Sequence, residues 1–294
     1  MGQHDKWDYL TDFVNNNLED FERKLNKKPY FVKIKKHPVR ADLIMFNYHP
    51  FKSDFTNPIV RCSRGSVYIL QDNGTIRPYL TPFFKFSSLG ENGEDQIDWE
   101  TPVLITEKLD GSFIKLLKEP DGNDLWTTNR GFELDVMIPK NYPVDTAETL
   151  RPPYTFNTLL ELALQGYEIE ISKLPKNWTF MFELTSPFNR IVLPYPTTRL
   201  WLLGGRDENH VERTAENIKE LFGLTFDTPQ KYLFSNLEEV IIFCDTNNRN
   251  SFEGLIIQDI HFNRIKVKSK HYENLQKMSV RSKSFIKKLN KLKI

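Results

Sequence analysis

The chain has 294 residues, enough to bury a sizeable core in one large domain with a small module or two attached. Its 40 lysines and arginines almost balance 39 aspartates and glutamates, so no global basicity marks a nucleic-acid binder, and any such site must gather its charge on one face. Two distant cysteines, Cys62 and Cys244, and six histidines without paired spacing give neither a disulfide framework nor a zinc motif.

No apolar run is long enough to cross a bilayer, so no membrane partner is expected. The N-terminus lacks a signal peptide's charged-then-apolar order, and Lys6 stands where a myristoylation site needs Ser or Thr. The expected compartment is reducing and internal, the cytoplasm or an infected host's cytoplasm, and the expected state is a monomer.

Along the chain, Trp7, Leu10, Phe13 or Val14, Leu18, Phe21 and Leu25 recur at helical intervals, which predicts an amphipathic helix over 5–25. From about Tyr30 to Leu89 short aromatic-rich runs, with a turn at Asn73-Gly74, predict a small β-rich module. Tyr48, Arg64 and Lys85 lie within it and read either as surface side chains or as ligands. An acidic loop over 89–100 leads to a strand at 103–108, the Asp110-Gly111 turn, a strand at 112–118, a second turn and a strand at 124–128. That succession predicts an antiparallel meander with Lys108 at a strand end.

A proline-rich loop follows over 139–154, then a helix over 155–166 stopped by Gly166. Strands are expected at 179–184, 190–193, 199–203, 254–258 and 264–268, with helices over 212–222 and 236–243. The tail from about Ser269 is helical and lysine-rich, and reads either as a solvated helix or as an RNA-facing surface.

Three stretches carry chemistry besides Lys108. Glu183 sits inside the apolar run Phe182-Glu183-Leu184 and points away from its neighbours, so it needs a partner, either a salt bridge or a ligand hydroxyl. Glu253 enters another apolar strand with Gly254 behind it, which lets something approach the backbone closely. Arg264, Lys266 and Lys268 alternate along one strand face, and packed cations there call for an anion between them. Together these are what a lysine attacking a nucleoside triphosphate needs: neighbouring charge to favour the free amine, cations for the phosphates, and carboxylates for a metal and a ribose.

The ordered set of KxDG at 108–111, FEL at 182–184, EG at 253–254 and KxK at 266–268 resembles the covalent nucleotidyltransferases, the superfamily of ATP-dependent ligases and capping guanylyltransferases. Within it, FELTSPFNRIVLPY at 182–195, EGLII at 253–257 and KVKSKHY at 266–272 resemble the RNA ligases of the phage T4 RNA ligase 1 type. The resemblance implies an α+β adenylation domain of antiparallel sheets flanked by helices. Residues 1–100 would form the N-terminal module that helps build the ATP phosphate site, 101–272 the nucleotidyltransferase core and 273–294 a basic helix. Too few residues follow Tyr272 for an OB-fold or a helical tRNA-recognising domain, so neither is expected.

The roles it implies are specific. Lys108 is the expected adenylated lysine, Glu183 the ribose-binding acid, Glu253 the acid linked to metal, and Lys266 and Lys268 the phosphate-binding pair. Leu203 and Ile256 would sandwich adenine, and Tyr48, Arg64, Lys85, Glu107, Arg130 and Tyr272 would complete the ATP site. ATP with Mg²⁺ or Mn²⁺ is implied, as is RNA with 5′-phosphate and 3′-hydroxyl ends, joined in RNA repair. One departure concerns Lys85: the family runs on with two aromatic residues, whereas here Phe86 is followed by Ser87. The rival expectations are a DNA ligase, a GTP-using capping enzyme, or a non-catalytic RNA-binding module.

Overall fold

The computed structural model describes residues 8–136 and 154–278. In chain order the elements are α1 (Asp8–Asn15), α2 (Phe21–Leu25), β1 (Val32–Lys36), β2 (Leu43–Tyr48), α3 (Pro58–Cys62), β3 (Arg64–Leu70) and β4 (Ile76–Leu80). Then come β5 (Leu104–Glu107), β6 (Ser112–Lys118), β7 (Asp124–Thr128), α4 (Phe156–Leu164), α5 (Glu168–Lys173), β8 (Thr179–Thr185) and β9 (Arg199–Arg206). The remainder are β10 (Glu212–Thr214), α6 (Ala215–Phe222), β11 (Lys231–Tyr232), α7 (Leu237–Thr246), β12 (Gly254–Gln258) and β13 (Arg264–Lys268), followed by helical residues 270–278. None of the described helices is long and apolar enough to cross a membrane.

These strands form three sheets, ordered β1-β2-β3-β4, β10-β9-β8-β6-β7 and β11-β5-β12-β13, with every strand pair antiparallel. The class is α+β, as the patterning indicates. Period-two alternation explains the layering. Ile44 and Phe46 of β2 pack with Leu10 and Val14 of α1, while Leu43 and Met45 face Leu117 and Leu125 of the second sheet. On β8, Phe180, Phe182 and Leu184 enter the core under α4 and α6, so Glu183 is left to face the other way. The third sheet packs Leu255 and Ile257 against Val240 and Cys244 of α7.

Several expected elements differ. The helix over 5–25 is two short helices, because Asn15, Asn16 and Asn17 interrupt it. The Asn15 amide pairs with both backbone groups of Ile76, and Asn17 bonds the Phe13 carbonyl, the local competition that makes asparagine a poor helix residue. Residues 190–193 form no strand. Prolines at 187, 194 and 196 bracket them, and the Val192 and Leu193 amides donate to Asp110 instead of to a ladder.

The expected meander is also divided. β5 pairs with β11 and β12, whereas β6 pairs with β7 and β8, so Asp110-Gly111 is a crossing between two sheets and not a hairpin. Gly111 packs too tightly against the Leu184 carbonyl to admit a side chain. The acidic loop contributes structure of its own: Ser87 and Leu89 exchange backbone hydrogen bonds with Lys266, which straps the N-terminal sheet to β13. The proline-rich loop, apart from Tyr154, and the tail beyond 278 lie outside the described residues.

Two glycines separate strain from collision. Gly74, at φ +82°, turns between β3 and β4 with open space around it, whereas Gly254, at φ +154°, lies against the Val267 carbonyl and the Lys268 Cα. Gly74→Ala is expected to cost about 1 kcal/mol, the strain alone. Gly254→Ala is expected to cost at least about twice that, because β12 and β13 must part to admit the methyl. Urea unfolding of the two variants measures the difference.

Candidate active site

The second and third sheets face each other across a cleft of about 920 Å³, open solvent at its mouth included, and the N-terminal sheet closes one end. Its floor is set by register. Thr106, Ile256 and Lys266 stand side by side across β5, β12 and β13, and Leu104, Gln258 and Arg264 form the next row. The third row joins Gly254 and Lys268 to Lys108, whose amide donates to the Gly254 carbonyl at 2.8 Å. The opposite wall carries Phe113, Glu183 and Leu203, and Arg64, Phe83 and Phe86 come from the N-terminal part.

The Lys108 Nζ lies 2.8 Å from Glu253 Oε2, and Lys268 approaches Glu253 Oε1 at 4.0 Å. Burial opposes the charge on Lys108, but Glu253, Glu183 and Asp110 outweigh it, so the amine is held above its ordinary range. The expectation that nearby lysines depress it is thus reversed: the amine is held as an ammonium, ion-paired with Glu253. Burial raises both carboxylates, Glu183 to about 7 even though Lys108 and the Gly111 amide act against the shift.

At the other end the cations crowd. Burial, with Lys85, Arg64 and Lys108 adding to it, pushes Lys266 down to about 7, and burial pushes Lys85 down to about 8. Arg64 stacks on Phe113 at 4.6 Å and Phe86 at 5.1 Å, and its Nε is buried without a hydrogen-bond partner. Unpaired buried donors and half-discharged lysines are costly, and an anion among them would restore their charge. Tyr48 meets this cluster through its electrostatic influence on Arg64 and by lying edge-on to Phe55, whose ring is 4.6 Å from the Lys85 amine.

The structure therefore brings Lys108, Glu183, Glu253, Lys266, Lys268, Arg64, Lys85, Glu107, Leu203 and Ile256 to one cleft or its rim, with Tyr48 behind. Glu107 accepts from the Tyr232 hydroxyl at 3.2 Å, and burial raises its carboxyl. Arg130 is not brought there: it is exposed at the end of β7 and does not line the cleft. Tyr272 is 1% exposed and acts through another residue, its hydroxyl donating to Asp110 Oδ1 at 2.8 Å.

Asp110 is the group that sequence reasoning passed over. Its Oδ2 accepts the Val192 and Leu193 amides, both at 2.7 Å, and its own amide donates to the Tyr195 hydroxyl at 2.9 Å. The KxDG spacing contains it, but its partners lie 82 to 162 positions away, where no local pattern reaches. In the sequence Arg264 is simply one of three alternating cations. It is buried, lies 4.2 Å over Phe83, and shares Glu212 with Arg206 in a buried triad.

Among the described residues no three metal-ligating side chains converge. A hard cation needs one or two carboxylates when substrate phosphates supply its other ligands, and Glu253 fits that partial role.

Comparison with known proteins follows the same lines. The sequence model of an RNA ligase family, the T4 type 1 RNA ligases, matches residues 65–272. A protein of Autographa californica nuclear polyhedrosis virus, named as a bifunctional polynucleotide kinase/RNA ligase, is 29% identical over 271 residues, covering 86% of this chain and 36% of that one. Among solved structures, an archaeal ATP-dependent RNA ligase superposes with a TM-score of 0.54 at 13% identity, over 92% of this chain and 65% of that one. A protein of Aquifex aeolicus named as an ATP-dependent DNA ligase gives 0.50 at 13% identity, over 93% and 73%. At such identity the likeness is one of fold, and the chain spans about a third of the viral relative and under two thirds of the archaeal one. The match over most of its length nevertheless makes this chain a member of the T4 RNA ligase 1 family of RNA ligases.

Proposed function

We propose that this chain is an ATP-dependent RNA ligase. Lys108 takes AMP from ATP, passes it to an RNA 5′-phosphate, and a 3′-hydroxyl then displaces AMP to seal the strand. The observation that carries this reading is the Lys108 amine, ion-paired with Glu253, in a cleft that also holds Leu203 facing Ile256 and the cations Arg64 and Lys266. Cys62 and Cys244 are buried and not joined in a disulfide, which suits a reducing compartment such as the cytoplasm.

In this reading adenine lies between Leu203 and Ile256, with the Glu107 side at its edge, and Glu183 takes a ribose hydroxyl. Residues 1–100 bring Arg64 and Lys85 to the phosphates, and 101–272 supply the rest. Glu253 would hold a divalent cation, which would supply positive charge beside the phosphates. Lys108 gives one proton of its ammonium to solvent and its Nζ attacks the α-phosphorus, losing a second proton to solvent as the phosphoramidate forms. The Nζ–P bond forms as the bond to pyrophosphate breaks in line. Lys266 and Lys268 neutralise the equatorial oxygens, and electrostatic stabilisation of this kind is worth about 10²–10³ in rate.

The adduct is the first test. Incubation with ATP and Mg²⁺ should add AMP to Lys108 by mass spectrometry, with none from GTP and none in Lys108→Ala, and the wild type should join 5′-phosphate and 3′-hydroxyl RNA ends. An adduct in Lys108→Ala, or one from GTP alone, would overturn the reading. Lys268→Ala should slow adenylation about 10²-fold or more while RNA binding changes little; equal loss of both would contradict its place beside the phosphates.

The second concerns protons. Burial pushes Lys266 down to about 7, so above that pH it is mostly neutral. Phosphate beside it raises the amine again, so ATP binding at pH 7.5 should take up protons, and affinity should fall as the pH rises above 7. Calorimetry in buffers of different ionisation enthalpy should show that Lys266→Arg loses the larger share of this uptake. Unchanged uptake in that variant would contradict the assignment.

A further inference from the structure

The cleft is one of three hollows that follow each other along the surface. It shares Glu107 and Leu109, the residues either side of Lys108, with a second hollow whose walls carry Tyr195, Arg199 and Trp201. The second shares Gln230 with a third, where Tyr232 and Phe243 stand beside Asn247, Asn248 and Arg249. A track thus leads away from the lysine, and apart from Glu107 the nucleotide reading uses none of it.

The chemistry of the track repeats. Trp201 stands opposite Glu183 in the strand register, and its indole N–H donates to the Thr185 hydroxyl at 2.8 Å, which fixes the ring. The Arg199 guanidinium lies 5.8 Å from that ring and is half exposed; its neighbour Asp227, at 3.5 Å, forms an exposed pair of the weak kind. Further on, Arg249 reaches the Tyr232 hydroxyl at 3.5 Å, and Tyr232 in turn donates to Glu107, which occupies that carboxylate. Each hollow therefore offers an aromatic ring with an arginine next to it, and amide or hydroxyl groups between. Aromatic faces for successive bases, with cations for the backbone, are what single-stranded nucleic acid requires.

We propose that this track seats a single strand of RNA, with one base stacked on Trp201 beside Lys108 and the backbone passing Arg199 toward Arg249. The inference rests on the RNA ligase reading and adds the face on which the substrate lies.

The test uses the full chain and separates the steps. Trp201→Ala, Arg199→Ala and Arg249→Ala are compared with wild type for the ATP adduct formed without RNA, for binding of a 5′-phosphorylated oligoribonucleotide, and for sealing. The adduct is expected within about twofold of wild type, while Trp201→Ala weakens RNA binding and sealing by about tenfold or more, as loss of one stacked base does. Trp201→Phe should restore most of that binding. Each exposed arginine variant should reduce the slope of log affinity against log salt by about 0.7. A 4-thiouridine at either end of the oligonucleotide should crosslink within 195–201 or 230–249, and the end that does so at Trp201 is the one seated next to the lysine. Normal RNA affinity in all three alanine variants, or crosslinks confined to the N-terminal sheet, would overturn the track. A wild type that binds and crosslinks there but forms no adduct would support the track and sink the ligase reading instead.

Discussion

The carboxylate of Asp110 accepts hydrogen bonds from the Val192 and Leu193 amides and the Tyr272 hydroxyl while only 4% exposed, and the rest of the site hangs on it. Hydrogen bonds to a buried charge are worth about 1.5–3 kcal/mol each, and three of them join the crossing between two sheets, the proline-bracketed segment at 187–196 and the helical residues 270–278. That single group explains why β5 and β6 part company at Asp110-Gly111. It also explains why Lys108 ends a strand of one sheet while facing the wall of another.

The second constraint is charge kept under pressure. Lys85, Arg64 and Lys266 crowd at one end of the cleft with depressed amines and an unpaired guanidinium nitrogen, and Glu183 and Glu253 are raised at the other. The strap over 87–89 and the buried Arg206–Glu212–Arg264 triad hold these groups in place across all three sheets. Such tension is common where a site awaits a ligand of opposite charge.

Much of this was legible in the chain. The alternation in β13 put Lys266 and Lys268 on one face, period two turned Glu183 out of its core, and the strands over 112–118, 124–128, 254–258 and 264–268 run as patterned. What escaped depends on distant partners. Arg190 to Leu193 reads as a strand because its apolar residues are β-formers, yet the competing acceptor is Asp110, far away in sequence. The Asp-Gly pair reads as a hairpin because that is its usual use, and only the pairing of β5 with β12 shows otherwise. Arg130 follows the right motif but stays on the surface, and the run of three asparagines divides a helix whose apolar spacing is unbroken.

The ion pair between Lys108 and Glu253 has a chemical consequence of its own. A cell is full of electrophiles, among them aldehydes, acyl phosphates and carbon dioxide, and an exposed free amine would be spent on them. Paired with a buried carboxylate and held above its ordinary range, the nitrogen offers its lone pair even less often than an ordinary lysine does. The carboxylate thus acts as a safety catch: the residue proposed to anchor the metal also favours the unreactive ammonium form of the proposed nucleophile.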